Sequence, residues 1–328
     1  MVNKMNRKIA FILVLALAVF LVIGSASAGF FDFLSGNSDS TVKIGYLPSD
    51  HDAALFVADA KGLYKEKGIN AELVQFNNGG DLMTAMASGD VDVGYVGIAP
   101  VLSSISSGVP VKVISAAQNE GSGLIVTSDS GIGGASDLSG KTVATPGEAS
   151  IQHVLLAAYL KDNGMSLKDI NESAMKVPSI NDALKTGSLK AAITFQPYVS
   201  LGVSSDNIDK LVDSSEIMPN HPCCVVVASQ DFLDNNKDVA KKVVDIHKNA
   251  TAFINEKIEA GETNEIVKLL PEDIVADADV EAQSLESFPF ISGFDDQYKE
   301  NVDAFQNLEV NLGILDKTIS HGDLYWEA

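Results

Sequence analysis

The stretch Val91-Asp92-Val93-Gly94-Tyr95-Val96-Gly97-Ile98-Ala99-Pro100 is answered 100 residues later by Ala191-Ala192-Ile193-Thr194-Phe195-Gln196-Pro197-Tyr198. Each is a short apolar run stopped by a proline, which reads as a buried strand closed by a turn. Working outward, the same punctuation surrounds both copies. Before the first, Thr41–Tyr46 alternates like a strand and breaks at Leu47-Pro48. Ala53–Ala60 has helical spacing and stops at Lys61-Gly62, and Ala71–Phe76 reads as a second strand. Asn77-Asn78-Gly79-Gly80 reads as a loop, with Asp81 capping a helix Leu82–Ala87 that ends at Gly89. After the first copy come another helix and the strand Val111–Ser115. Before the second copy, Lys141–Ala144 is a strand ending in Thr145-Pro146, and Ile151–Lys161 is a helix stopping at Asn163-Gly164. Ala174–Val177 is then a strand, followed by a helix from Pro178 to Lys185 closed by Gly187. The correspondence is one of pattern, not identity.

Two such βαβ series predict an α/β protein of two lobes, each a mainly parallel sheet flanked by helices with right-handed crossovers. Loops at the carboxyl ends of the strands line the crevice in sheets of this kind, so those ends are expected to face one another across a shared cleft. Residues 41–120 form the first part of lobe 1, 121–223 lobe 2, and 224–328 the return to lobe 1 with C-terminal helices. The crossings fall near Gln118–Leu124 and Cys224–Ala228, and the chain reads as helices from Phe232 onward.

The first 28 residues are of another kind. Lys4, Arg7 and Lys8 precede an apolar run from Ile9 to Ile23, and Ala26-Ser27-Ala28 has the small-x-small pattern of a signal-peptidase site. About 15 residues at roughly 1.5 Å each span ~22 Å, short of the ~30 Å hydrocarbon core, so cleavage after Ala28 is the favoured reading. An uncleaved N-terminal anchor is the alternative. Residues 29–40 read as a flexible tether. The protein is expected to be exported, to the periplasm or the outer face of the cell membrane. The net charge of −21 argues against nucleic acid and against an anionic membrane surface.

Ile44-Gly45-Tyr46, the helix leading to Lys61-Gly62-Leu63-Tyr64, and Gly68-Ile69 resemble the opening of nitrate/sulfonate/taurine-type periplasmic solute-binding proteins of ABC transporters. Gly80 with Ala85-Met86-Ala87-Ser88-Gly89-Asp90-Val91-Asp92 resembles their second signature. Asp137-Leu138-Ser139-Gly140-Lys141-Thr142-Val143-Ala144 resembles the start of their second lobe. The likeness covers about residues 41 to 228. It implies a two-lobed periplasmic-binding-protein fold of type II that bends at a hinge. It also implies a small solute in the cleft, and permease and ATPase subunits as partners on separate chains. Two departures stand out. Gln196 occupies a position where relatives often carry an acidic residue, and the only arginine in the chain is Arg7, inside the leader.

The cleft is expected to be lined by Leu47–Asp52, Asn77–Asp81, Gly97–Pro100, Gln118–Ser122, Thr145–Gln152, Phe195–Tyr198 and Pro219–Cys224. The candidate ligand contacts in these segments are Ser49, His51, Asn78, Gly97, Ala99, Gln118, Asn119, Thr145, Ser150, Gln152, Gln196, Tyr198 and His221. None of the segments contains a lysine. Amides, hydroxyls, histidine and the helix N-termini after Ser49, Gly97 and Glu148 would suit a small oxyanion or a zwitterion. Plainer readings compete. Asn78-Gly79-Gly80 reads equally as a simple turn, Asp50, Asp81 and Glu148 as helix caps, and His153 as a satisfied core histidine. Cys223 and Cys224 are the only cysteines. They could bind a soft metal or pair with each other, but strand alternation predicts thiols on opposite faces and a structural role. A metal site would need further ligands nearby.

No nucleophile elbow, phosphate loop or metal-spaced cluster is present, so no catalytic residue, metal or cofactor is called for. The leading reading is a monomeric capture protein for a sulfonate, a taurine-like solute or another small oxyanion. The alternatives are a binder of a thiamine-pyrimidine precursor, a pyrimidine-synthesis-type enzyme on the same fold, and a ligand-sensing receptor domain.

Overall fold

The computed structural model describes residues 40–327. The expected leader (1–28) and nearly all of the expected tether (29–39) lie outside the described residues. Among the described residues, no helix is long and apolar enough to cross a membrane.

Two sheets carry the fold. The first has the strand order β11-β4-β10-β3-β1-β2, built from β1 (Ser40–Tyr46), β2 (Ile69–Gln75), β3 (Val93–Gly97), β4 (Val111–Asn119), β10 (Pro222–Ser229) and β11 (Phe290–Gly293). The second has the order β7-β6-β8-β5-β9, from β5 (Ser122–Thr127), β6 (Thr142–Thr145), β7 (Asn171–Ala174), β8 (Ala191–Phe195) and β9 (Ile208–Asp213). The repeat legible in the sequence is the shared parallel triplet, β2-β1-β3 in one sheet and β7-β6-β8 in the other. In both, the first strand of the series lies in the middle.

The sheets are mixed, not mainly parallel. Beyond each triplet, β10 runs antiparallel to β3 and β4, and β5 runs antiparallel to β8 and β9. In each sheet the strand that receives the chain from the other sheet, β5 or β10, runs against the triplet, while the strand that sends it out, β4 or β9, runs with it. The outward crossing is the turn between Asn119 and Ser122, and the return lies between Asp213 and Pro222. The return therefore precedes the Cys224–Ala228 segment in which it was expected, since Pro222 already pairs with Asn119 in the first sheet.

Two elements differ in place for physical reasons. The strand expected at Ala174–Val177 is β7, pairing with β6 from Asn171 to Ala174. It is a half-exposed edge strand of polar residues, so the apolar signal came from Val177, which is buried at the start of the next helix. The helix expected from Leu82 begins at Gly79, capped by Asn78. Edge strand β11 was not anticipated; it is only four residues long.

The helices that matter for the cleft are α1 (Ala53–Ala60), α2 (Gly79–Ser88), α3 (Ile98–Ser106), α4 (Ile151–Asp162), α5 (Val177–Lys185), α6 (Lys237–Glu259) and α7 (Asp296–Leu312). From Ala53 to Ala58 every side chain of α1 is buried, held between the first sheet and α6. Helix α7 packs on both α4 and β10, so the C-terminal region braces the two sheets together.

Candidate functional site

A cavity of about 280 Å³ lies between the sheets at the carboxyl ends of β1, β3, β6 and β8. The first-sheet side supplies Leu47, Ser49, His51, Asp52, Asn77–Gly80, Gly97, Pro100, Cys223 and Cys224. The second supplies Pro146–Gln152, Val177 and Phe195. The two sides touch. The Ser49 hydroxyl donates to the Gln196 carbonyl at 2.8 Å, and the Tyr198 hydroxyl donates to the Pro48 carbonyl at 3.1 Å. Gly97 is also so close to Ile151 that a Cβ there would lie 3.2 Å from the isoleucine Cδ1.

Three helices begin at this cavity: α2 after Asn78, α3 after Gly97 and α4 after Ser150. Their first-turn N–H groups have no acceptor within the helix and carry roughly half a positive charge at each end. Asn78 caps through Oδ1, which accepts the Asp81 N–H at 2.9 Å, and Ser150 Oγ accepts the His153 N–H at 3.2 Å. The caps are thus Asn78 and Ser150, where Asp81 and Glu148 were expected. Likewise Ser49, not Asp50, caps the single turn Asp50–Asp52 that precedes α1. The shorter side chains sit at the true N-cap positions, and the acids fall within or before the first turn. No lysine or arginine lines the cavity among the described residues.

Of the expected contacts, Ser49, His51, Asn78, Gly97, Ser150 and Gln152 line the cavity. The others do not, although they surround it. Gln118 and Asn119 are buried at the end of β4 by the outward crossing. Thr145 is buried, donating to Glu172 Oε1 at 2.7 Å and accepting the Gly147 N–H at 3.2 Å. Gln196 donates to Ser287 Oγ at 3.0 Å and accepts the Ser200 N–H at 3.0 Å, while Tyr198 is committed to Pro48. His221 is buried with Nδ1 at 3.1 Å from the Pro222 carbonyl, and burial lowers its pKa. Ala99 is buried in the first turn of α3. His153 is the satisfied histidine it read as, at 2.8 Å from Glu172.

The cysteine pair departs most from expectation. Register shifts between Pro222 and Cys224 and between Cys224 and Val225 interrupt the pairing of β10 with β4. A bulge of this kind breaks the alternation of a strand, and both thiols turn to the cavity. Cys223 Sγ lies 3.7 Å and Cys224 Sγ 3.8 Å from His51 Nδ1. Sequence reasoning had no signal for the bulge, nor for Val177, which enters the wall because α5 starts earlier than expected.

The electrostatics here are set first by burial of the titratable groups. Burial pushes Asp52 well above the usual carboxylate range, against the pull of the Leu47 N–H. Burial also raises Asp50 to about 6, although the Ser284 hydroxyl donates to it at 2.5 Å. Burial alone would lower His51, but the Cys223 sulfur, and then Asp50 and Asp52, outweigh it and raise the imidazole. Burial would raise Cys223, yet the Cys224 thiol and His51 hold it well below the ordinary thiol range. Cys224, as hydrogen-bond partner of Cys223, is raised well above it. Phe195 and Phe288 close the aromatic side, with ring centroids 5.8 and 4.7 Å from His51.

Comparison with known proteins follows the same outline. The model of the NMT1-like family matches residues 35–270. The taurine-binding periplasmic protein of Escherichia coli is 28% identical over 202 residues, which cover 61% of this chain and 62% of that protein. The chain thus matches about three-fifths of the length of that relative. A 4-amino-5-hydroxymethyl-2-methylpyrimidine phosphate synthase of Aspergillus parasiticus is 27% identical over 234 residues, covering 66% of this chain and 67% of the enzyme. Among solved structures, the alkanesulfonate-binding protein of Xanthomonas axonopodis pv. citri, bound to MOPS, superposes with a TM-score of 0.76 at 20% identity. That superposition covers 88% of this chain and 99% of the other, and shows the two-lobed fold.

Proposed function

This chain belongs to the NMT1-like family, and from that premise we propose that it is the extracytoplasmic solute-binding component of an ABC importer, capturing a small sulfonate, a taurine-like solute or another small oxyanion. The observation that carries the reading is the convergence of three helix N-termini on one cavity between two sheets, with no lysine or arginine in its walls among the described residues. Partial charges from N–H groups hold a monoanion without the strong field that a multiply charged anion demands. Glu148 in the wall opposes a second negative charge and leaves room for an ammonium group. At about 280 Å³ the cavity lies near the lower end of ligand pockets, roughly 300–1,000 Å³, which selects a small solute. The taurine-binding relative supports this class of ligand.

Capture would work as a clamp. A solute that touches both sides stabilises the closed arrangement by its differential affinity, and closure presents a composite surface to the permease. The hinge of this clamp is the pair of crossings at 119–122 and 213–222, and the protein acts as a monomer.

A second reading is binding or conversion of a pyrimidine precursor. Phe195 lines the cavity beside His51 and could stack on a flat ring, and one relative carries a pyrimidine phosphate synthase name. Thermal unfolding against a panel separates the two. The panel is taurine, alkanesulfonates, nitrate, bicarbonate, small carboxylates and thiamine pyrimidines. A true ligand at 100 times its dissociation constant adds about 2.7 kcal/mol. A shift with the sulfonates supports solute capture. A shift with pyrimidines alone, or with no member, overturns the sulfonate assignment.

A further inference from the structure

His51, Cys223 and Cys224 stand together on the first-sheet wall, and solute capture by helix N-termini uses none of their ligating power. Their three ligand atoms lie within 4.8 Å of one another. The two Nδ1···Sγ separations, 3.7 and 3.8 Å, are a little longer than the N···S edge of a tetrahedron around a zinc ion, roughly 3.5–3.6 Å for Zn–S near 2.3 Å and Zn–N near 2.0–2.1 Å.

We propose that His51 Nδ1, Cys223 Sγ and Cys224 Sγ form a three-ligand site for a soft d¹⁰ cation such as Zn(II), with the fourth position open to the cavity. Two sulfurs and an imidazole are the donor set that selects zinc or copper(I) over hard cations such as magnesium or calcium. The imidazole is already oriented for the task. Its Nε2 lies 3.2 Å from the Gly121 carbonyl, which can only accept, so the ring proton stays on Nε2. Nδ1 is then the nitrogen that exchanges a proton for a metal. A histidine whose second nitrogen donates to a backbone carbonyl is the usual support of a metal ligand. Gly121 makes this contact possible. It has φ +77°, and a Cβ there would lie 2.5 Å from His51 Nε2.

The bulge in β10 is the second element of the site. A regular strand would send the two thiols to opposite faces, and only the register shifts around Cys224 bring both to His51. Both sulfurs and His51 also line the cavity, so an ion there would be reachable from it. Binding replaces whatever protons the two sulfurs and Nδ1 carry by the metal; those protons leave to solvent and no electron is transferred. The open position would face the solute or a water molecule. The site goes beyond the capture reading, because it stands or falls without reference to any anion.

The test uses the full chain, reduced and freed of metal by a chelator, with Co(II) as a coloured stand-in and Zn(II) as competitor. The expected result is one Co(II) per chain, with the near-ultraviolet charge-transfer band that only thiolate ligation produces, discharged by one equivalent of Zn(II). Cys224→Ser and His51→Gln should each weaken Zn(II) binding by at least the roughly 10–100-fold typical of losing even an outer-shell partner. Absence of the band from the folded wild-type chain would overturn the site, and that outcome does not depend on whether any variant folds. Binding that survives in Cys223→Ser/Cys224→Ser would overturn it as well. The solute panel is run separately with chelator present, so loss of the metal site leaves solute capture standing, and the converse.

Discussion

The loop after β1 and the loop after β6 occupy the same place in the two copies of the fold, and they are built in opposite ways. Ser49, Asp50, His51 and Asp52 are all 3% exposed or less. That first loop is tied to its own turn by Asp52, to the second sheet by Ser49 and Pro48, and to the crossing by His51. Its counterpart, Pro146–Ser150, is half-buried to exposed and is held mainly by the Ser150 hydroxyl, which donates to the Gly147 carbonyl at 2.6 Å. One wall of the cavity is buried and cross-linked by hydrogen bonds. The other offers backbone N–H groups on a loop with little to restrain it. Lobes of equivalent topology can thus divide the labour of a clamp. In the proposed clamp, one would hold a preorganised surface and the other would close on whatever sits against it.

Glycine substitutions break this comparison most sharply. In Gly121→Ala, the new Cβ meets buried His51, adding overpacking of about 1–3 kcal/mol to left-handed strain of about 1–3 kcal/mol, for a loss near 4 kcal/mol. Gly147 has φ +133° but nothing within 4 Å of its Cβ position, so Gly147→Ala pays only the strain. Urea unfolding of both variants should therefore separate them by about 1–3 kcal/mol. Equal losses would mean that the two walls are equally tight.

The histidines repeat the contrast between lobes, and acid sharpens it. In the first lobe, His247 is fully buried, with Nε2 donating to the Ala116 carbonyl at 2.8 Å and Nδ1 at 3.2 Å from the Tyr95 hydroxyl. Burial lowers it to about 4. In the second lobe, His153 instead meets the Glu172 carboxylate. A histidine depressed in the folded state is neutral there and protonates first when unfolded. Its contribution is present above pH ~6.5 and is lost as pH falls toward about 4, some 3 kcal/mol in total. Denaturant midpoints at pH 7, 5.5 and 4 should fall steeply for the wild type and less so for His247→Gln. Parallel curves would show that His247 is not the group responsible.

How much of this was legible follows from where each signal resides. The parallel triplets were readable because Val93–Gly97 and Ala191–Phe195 are nearly all buried, and buried strands write continuous apolar runs. Cavity residues beside strand ends, Ser49, His51, Asn78 and Gly97, followed from that frame alone. Gln118, Thr145 and Tyr198 were drawn to the cleft by the same argument but are turned away by hydrogen bonds or burial that no periodicity encodes. The convergence of Cys223, Cys224 and His51 was the least legible. It depends on a bulge in one strand and on a loop 172 residues earlier in the chain, and a bulge is a difference of register between partners, visible only once both strands are paired.

The smallest effects come from the two serine caps, and they finish the comparison. Each serine hydroxyl accepts an N–H two or three residues on. Ser150→Ala removes the cap of α4 on the loosely held loop, where water can replace it, and should cost about 1 kcal/mol. Ser49→Ala removes a cap and also strands the Gln196 carbonyl inside the interface between lobes, a buried acceptor left unpaired at about 1–3 kcal/mol. The difference is expected only while the lobes are together. Solute that closes the clamp should therefore stabilise the Ser49→Ala variant less than the wild type, and Ser150→Ala more nearly as much, by thermal unfolding with and without a saturating ligand. If Ser49→Ala gains from solute as fully as the wild type does, the Ser49–Gln196 hydrogen bond contributes nothing to closure, and the first loop is rigid for reasons internal to its own lobe.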